Sequence, residues 1–75
     1  MTVTTVTRLV PRLTEQERFM VLRRRAGVTQ PELAARTGIK QSRISAWERE
    51  CAALDPERVQ ALWEAMNSAA AEKVS

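Results

Sequence analysis

An all-α fold is predicted for this chain of 75 residues, because both its composition and its hydrophobic spacing favour helices. The sequence is rich in Ala, Leu, Glu, Arg and Gln, which propagate helices, and it contains only two glycines. Its Val, Ile and aromatic content is too low for a β-sandwich or a barrel. Apolar residues recur at spacings of three and four in separate stretches. We therefore expect one domain with four helices and one modest core.

The first helix is predicted from about residue 15 to residue 25. Thr14 opens the sequence Thr-Glu-Gln-Glu, in which the Thr hydroxyl can cap an early backbone amide and Glu17 can reach back to the Thr14 amide. Gly27 is expected to end the helix, since glycine adopts a left-handed conformation at little cost. The expected buried stripe consists of Phe19, Leu22 and Ala26.

The second helix is predicted from residue 30 to 37, and the third follows closely, from about 41 to 49. Thr29 repeats the capping signal in Thr-Gln-Pro-Glu, with Glu32 in position to complete a second capping box. Gly38 is expected to end the second helix, and the next residue should pack inward from the turn. The inward residues expected here are Leu33, Ala34, Thr37 and Ile39.

The fourth helix is predicted to begin after Asp55, an N-cap residue followed by Pro56, and to run to about residue 71. Its apolar stripe keeps one phase throughout, so one helix fits the sequence better than two. A break at Asn67-Ser68, which would give a fifth helix, is the alternative. The stripe consists of Val59, Leu62, Trp63, Met66 and Ala69 or Ala70.

Residues 1–13 are predicted to form an extended or disordered arm that precedes a domain of residues 14–72. The segment is rich in Thr and Val, and Pro11 blocks helix propagation through it. Its apolar residues do not alternate strictly, so the strand signal is weak.

Charge is distributed unevenly along the chain. Residues 18–49 carry eight cations, seven of them Arg, against two carboxylates, a net charge of +6, whereas residues 50–75 have a net charge of −3. The planar guanidinium of Arg suits phosphate. The middle of the chain is therefore expected to meet a polyanion, although a solvated charged surface would have the same composition.

The two faces of the predicted third helix differ in a way that indicates its role. Its inward face carries Ile44, Trp47 and Glu48, and Arg23 is the partner that a buried Glu48 needs. The outward face carries short or hydrogen-bonding side chains instead of Glu and Lys. Gln and Ser both donate and accept hydrogen bonds, which suits contact with base edges, although a solvated helix start would look similar. These outward residues are Gln41, Ser42, Ser45, Ala46 and Arg49.

Several classes of function have no support in the sequence. There is no His and no Tyr, no phosphate-binding glycine loop and no nucleophile beside a base, so an enzyme is not expected. A lone cysteine, Cys51, makes neither an internal disulfide nor a metal site, and no cofactor is expected. No apolar run approaches the roughly 20 residues of a membrane span, and the N-terminus does not look like a signal peptide, so a cytoplasmic protein is expected.

The stretch LRRRAGVTQPELAARTGIKQSRISAWER resembles the helix-turn-helix core of the lambda-repressor-like, Cro/CI-type family of DNA-binding proteins. The similarity covers about residues 15–66. As a set the matching residues are a specific signal, whereas any one of them alone is weak. They are Leu22-Arg23, Thr29-Gln30, Leu33-Ala34, Gly38, Ile44 and Trp47-Glu48.

Residue by residue, the resemblance implies a DNA-contacting set on the second and third helices. The residues at base-reading positions are Gln41, Ser42, Ser45 and Ala46. The residues at backbone-contacting positions are Gln30, Lys40, Arg43 and Arg49. The family also has a buried ion pair at the positions of Arg23 and Glu48, in agreement with the pairing expected from helical phase.

The resemblance implies a sequence-specific regulator of transcription that binds double-stranded DNA. A small phage-type repressor of this kind would bind a palindromic operator as a homodimer, with residues 41–49 in the major groove. The alternative is a protein-binding adaptor, such as an antitoxin or antirepressor, on the same scaffold; the acidic C-terminal third keeps it open.

Departures from the family leave the dimer contact open. The chain has Glu50-Cys51-Ala52-Ala53-Leu54 where family members often have a glycine and a basic loop, so fewer phosphate contacts are expected there. It also has no room for the full fifth helix that forms the dimer contact in many members. A homodimer could pair through the fourth helix, sharing Trp63 or Met66, or through the Thr/Val-rich arm.

Overall fold

The computed structural model describes residues 13–74, and within that range it contains four α-helices and no strand. The helices are α1 (Glu15–Ala26), α2 (Gln30–Thr37), α3 (Gln41–Glu48) and α4 (Pro56–Val74). The predicted all-α fold is confirmed. The predicted arm lies outside the described residues except for Leu13. No helix in the described range combines the length and the hydrophobicity that crossing a membrane requires.

The ends of α1 follow the local signals in the sequence. The Thr14 hydroxyl accepts from the Glu17 N–H at 3.1 Å, and the Glu17 carboxylate accepts from the Thr14 N–H at 2.8 Å. At the other end, Gly27 has φ 74°. Its N–H and that of Val28 donate to carbonyls of the last turn of α1, the pattern of a Schellman motif. The chain can therefore reverse direction after α1 without backbone strain.

The second capping box predicted at α2 is only half formed. The Thr29 hydroxyl accepts from the Glu32 N–H at 3.2 Å, as expected. The Glu32 carboxylate, however, lies 3.3 Å from Lys73 and 3.7 Å from Arg36, because two cations attract it more strongly than one backbone amide. Gly38, with φ 79°, ends α2 as predicted.

The turn after α3 has the same hydrogen-bond pattern as the turn after α1 but a different residue at its centre. The Cys51 N–H donates to the Ala46 carbonyl at 2.8 Å, and the Glu50 N–H donates to the Trp47 carbonyl at 2.9 Å. Glu50 therefore occupies the left-handed position, with φ 60°, where glycine is usual. Among the described residues, Glu50 is the one non-glycine residue with a positive φ.

The last helix, α4, is longer than predicted. It passes Asn67 and Ser68 without a break and continues to Val74. Its final turn is joined to α2 by ion pairs from Glu72 to Arg36 and from Lys73 to Glu32. These long-range pairs hold the turn beyond residue 71, where the helix was predicted to end.

The core lies where α1 and α2 pack against α3 and α4. Phe19 is at its centre, and both tryptophans meet its ring edge-on, with centroids 5.3 Å away for Trp47 and 5.0 Å for Trp63. Trp63 is half-buried, and its indole N–H donates to the Glu15 carboxylate at 2.9 Å. The buried apolar residues are Phe19, Val28, Leu33, Ile39, Ile44, Trp47, Leu62, Met66 and Ala69.

Two residues of α1 and its turn differ from the predicted core. Leu22 was expected in the buried stripe but is 43% exposed, because α3 and α4 cover α1 on the side of Phe19 and Arg23. Val28, in the turn before α2, is buried instead. Met66 is also buried, so its side chain is not available for a dimer contact.

Candidate nucleic-acid interface

A tight turn sets the position of α3 relative to α2. The Thr37 hydroxyl donates to the Leu33 carbonyl at 2.8 Å and accepts from the Ile39 N–H at 3.1 Å. Ile39 is buried in the core, as is Ile44 on the first turn of α3. The short connection and these two anchors fix how far α3 projects from the body of the protein.

A buried polar network fixes the other end of α3. The Nε–H and Nη2–H groups of Arg23 donate to the two carboxylate oxygens of Glu48, at 2.7 and 2.9 Å. Nη1–H of Arg23 donates to the Val28 carbonyl at 3.1 Å, and the side-chain amide of Gln30 donates to Glu48 at 2.9 Å. Arg23 is 8% exposed and Glu48 is 3% exposed.

This network joins four parts of the chain: α1, the turn after it, the start of α2 and the end of α3. No buried side-chain nitrogen or oxygen in the described range lacks a hydrogen-bond partner, so the desolvation cost of the ion pair is offset. The arrangement orients α3 against the N-terminus of α2. Helical phase predicted Arg23 with Glu48 but gave no sign of the Gln30 contact.

The residues at the predicted base-reading positions lie along the outer side of α3. Gln41 and Ser42, in its first turn, are exposed, whereas Ser45 and Ala46 are half-buried. Lys40 caps the helix through its backbone only, with no side-chain cap hydrogen bond. The first turn of α3 therefore presents polar side chains at the positive end of a helix dipole.

Three of the four predicted backbone-contacting residues are exposed cations next to this surface. Within residues 13–74, Lys40 and Arg43 form no ion pair. Arg49 makes one long hydrogen bond to the Ser45 carbonyl, at 3.4 Å. Gln30 differs from them, since it is half-buried and one N–H of its side-chain amide is held by Glu48.

On α2 and α4, by contrast, cations are engaged by carboxylates. Arg36 pairs with Glu72 and lowers the pKa of that carboxyl group, mainly by hydrogen bonding. Arg58 lies 2.7 Å from Asp55 and likewise lowers the pKa of Asp55. The unpaired cations at α3 thus leave a local positive charge that the pairs on α2 and α4 do not neutralise.

One contact next to this surface was not foreseen. The Thr14 hydroxyl donates to the Glu50 carboxylate at 3.3 Å, linking the start of α1 to the turn after α3. These residues are 36 positions apart, and neither belongs to an apolar stripe, so the sequence pattern held no signal for their proximity.

A helix-turn-helix family model matches residues 20–72, most of the chain and all of α2 and α3. The chain belongs to this Cro/CI-type helix-turn-helix family. Comparison with curated proteins and with solved structures gave no match. As a helix-turn-helix protein, it is a DNA-binding regulator of transcription.

Proposed function

We propose that this helix-turn-helix protein binds a specific double-stranded DNA site with α3 in the major groove. The observation that carries the proposal is the exposed Gln41-Ser42 pair on the first turn of a helix whose orientation is fixed by the buried Arg23–Glu48 pair. A reading surface must be held rigidly, because a base contact requires donors and acceptors at set positions.

The side chains of α3 then divide the recognition of bases among them. Gln41 is suited to adenine, since its amide can donate to one edge atom and accept from another. Ser42 and Ser45 add less discriminating hydrogen bonds, and Ala46 offers an apolar contact to a thymine methyl group. Gln41 should therefore contribute most of the selectivity.

Contacts to the DNA backbone would set the position of α3 in the groove. Lys40, Arg43 and Arg49 are exposed cations around the helix, and each can meet a phosphate. Gln30 would contribute from the N-terminus of α2, where backbone amides favour an anion. Its hydrogen bond to Glu48 would couple this phosphate contact to the position of α3.

We further propose that the protein acts as a homodimeric repressor of the small phage type, on a palindromic operator. Two copies related by a two-fold axis would place two α3 helices in successive major grooves. Trp63 is the remaining candidate on α4 for the contact between copies, since it is half-buried beside Leu54 and Val59. Occupation of a promoter would then block transcription.

Selection from a random duplex pool tests the proposal, with the wild-type protein compared with Gln41→Ala. The wild-type protein should enrich an inverted repeat, and Gln41→Ala should lose preference at one position of each half-site, at a cost of about 1–3 kcal/mol for that base pair. Gln60→Ala is the matched control, because Gln60 is exposed on α4 and bonds only to Glu64 among the described residues.

Two outcomes would contradict the proposal. Unchanged selectivity in Gln41→Ala would show that α3 does not read bases as assigned. Enrichment of no motif at roughly physiological salt would leave only non-specific attraction to phosphate.

A further inference from the structure

The outward face of α1 carries an apolar surface that the core does not use. Leu13 and Leu22 are 47% and 43% exposed, and apart from Val74 they are the exposed large hydrophobic residues of the described range. Both line one shallow depression of about 260 Å³. Its lining residues, hereafter the α1 patch, are Leu13, Arg18, Val21, Leu22 and Arg25.

The α1 patch is one continuous helix face. Residues 18, 21, 22 and 25 recur at spacings of three and four, so their side chains lie above one another. A different side of α1, with Phe19 and Arg23, packs on the core. No patch residue belongs to α2 or α3, so the patch is separate from the proposed DNA-contacting surface.

Two cations lie within this apolar face. Within residues 13–74, neither Arg18 nor Arg25 forms an ion pair, in contrast to the paired Arg36 and Arg58. A ligand that matches both properties must offer apolar side chains together with carboxylates. DNA would satisfy the two arginines but would leave the leucines in contact with water.

This protein could itself supply two occupants of the patch, its own N-terminal residues or a second copy, but each lacks one of these properties. Residues 1–12 contain two Arg and no carboxylate, so they do not complement Arg18 and Arg25. A second copy could offer the carboxylates of α4, but Leu62 and Met66 are buried there, and Val74 alone cannot cover both leucines of the patch. The complement is therefore a different protein.

We propose that the α1 patch docks an acidic amphipathic helix of a protein partner. Apolar side chains of that helix would cover Leu22 and Leu13, and carboxylates on either side would meet Arg18 and Arg25. Because the patch shares no residue with α3, the protein could hold DNA and this partner at the same time.

The test uses the 15N-labelled full chain and a synthetic 16-residue helical peptide with two Leu residues four apart, flanked by Glu. When the peptide is added, the backbone amide NMR signals of the labelled protein should shift at residues 13–25 and not in α3. Leu22→Ser and Arg25→Glu should each weaken peptide binding by about fivefold or more. Arg24→Glu, on an exposed part of α1 outside the patch, is the control and should change binding by no more than about twofold.

Four results would overturn the proposal. A peptide with Ser in place of both Leu residues should bind more weakly; equal binding by this peptide would show charge attraction alone. Shifts centred on α3, or no binding at all, would place the peptide elsewhere or nowhere. Binding to phosphatidylglycerol vesicles without peptide binding would assign the patch to a membrane surface. The peptide titration contains no DNA, so it can succeed or fail independently of the proposed function.

Discussion

Replacement of Glu48 should destabilise the protein strongly. In Glu48→Gln the side chain keeps its shape, but the buried Arg23 cation, 8% exposed, loses its counter-charge. We expect the free energy of unfolding to fall by about 3 kcal/mol, since an unpaired buried charge is costly. Urea unfolding followed by circular dichroism measures the change.

A paired replacement separates the charge from the packing. Arg23→Met combined with Glu48→Leu removes both charges, so it should destabilise less than the two single changes together. If the losses of stability in the two single variants simply added up in the double variant, the 2.7 Å contact between Arg23 and Glu48 would contribute little coupling energy. Gln30 loses its acceptor in Glu48→Leu and in the double variant but keeps it in Arg23→Met, so this loss cancels when the double change is compared with the sum of the single changes.

Glu50 should behave in the opposite way, because its backbone is in a conformation that suits glycine. We expect Glu50→Gly to raise the free energy of unfolding by about 0.5–1 kcal/mol, since relief of the left-handed strain exceeds the added freedom of the unfolded chain. The exposed contact to Thr14 would be lost at little cost. Thermal unfolding of the two proteins compares them directly.

Glu50→Ala is the control for this change. It removes the same carboxylate but keeps the Cβ atom, so the strain at φ 60° remains. If the alanine variant were as stable as the glycine variant, the gain would come from charge removal and not from the backbone.

The Arg36–Glu72 ion pair in the last turn of α4 should make the stability of the protein fall at acid pH. Arg36 lowers the pKa of Glu72 in the folded state, so the unfolded chain binds a proton there more readily. The stabilisation is present at neutral pH and is lost as the pH falls through the folded pKa of Glu72. We expect wild-type stability to fall more steeply with acidification than that of Glu72→Gln, in unfolding midpoints measured across the acid range.

Glu64→Gln is the control for the pH series. Glu64 is also on α4, but among the described residues its side chain accepts a hydrogen bond from the neutral Gln60 and not from a cation. Its replacement should leave the slope of stability against pH close to that of the wild type. Parallel slopes for all three proteins would show that the Arg36–Glu72 pair does not act in solution.

Helix ends were predictable where their signals are local. Thr14, Gly27 and Gly38 act through backbone atoms a few residues away, so the sequence shows where α1 and α2 end. The end of α4 depends on ion pairs to α2, and Glu32 leaves its capping position for the same pairs. Such contacts join distant parts of the chain, and no spacing rule reveals them.

Burial was predictable only as far as helical phase determines it. Phase places Phe19 and Leu22 on neighbouring parts of α1, but it cannot show that α3 and α4 cover only the first. Val28 lies in a turn, where there is no period to follow. For the candidate site, phase was enough to pair Arg23 with Glu48, whereas the Gln30 contact required the position of α2.

The protein as a whole should bind DNA with an affinity that falls steeply with salt. Each phosphate contact releases counterions, so Arg43→Ala should reduce the slope of log affinity against log salt by about 1. Arg58→Ala is the matched control, because Arg58 is already paired with Asp55 on α4. Filter binding to the selected duplex, repeated at several salt concentrations, gives the slope of log affinity against log salt for each variant.

Equal salt slopes for the two variants and the wild type would contradict the prediction that Arg43 contacts phosphate and Arg58 does not. A smaller salt slope in Arg58→Ala alone would place the DNA near α4 and remove Arg43 from the backbone-contacting set. Non-specific duplex, measured in parallel, shows how much of each slope depends on sequence.

The edge-on contacts of Phe19 with both tryptophans give the molecule an optical reporter of its own. With no Tyr in the chain and only weak emission from its single Phe, ultraviolet emission comes almost entirely from Trp47 and Trp63. Trp47 is 2% exposed and belongs to α3, whereas Trp63 is half-buried and bonds to a carboxylate through its indole N–H. Trp63→Phe would leave one emitter, so a red shift would signal the detachment of α3 from α1 without any added dye.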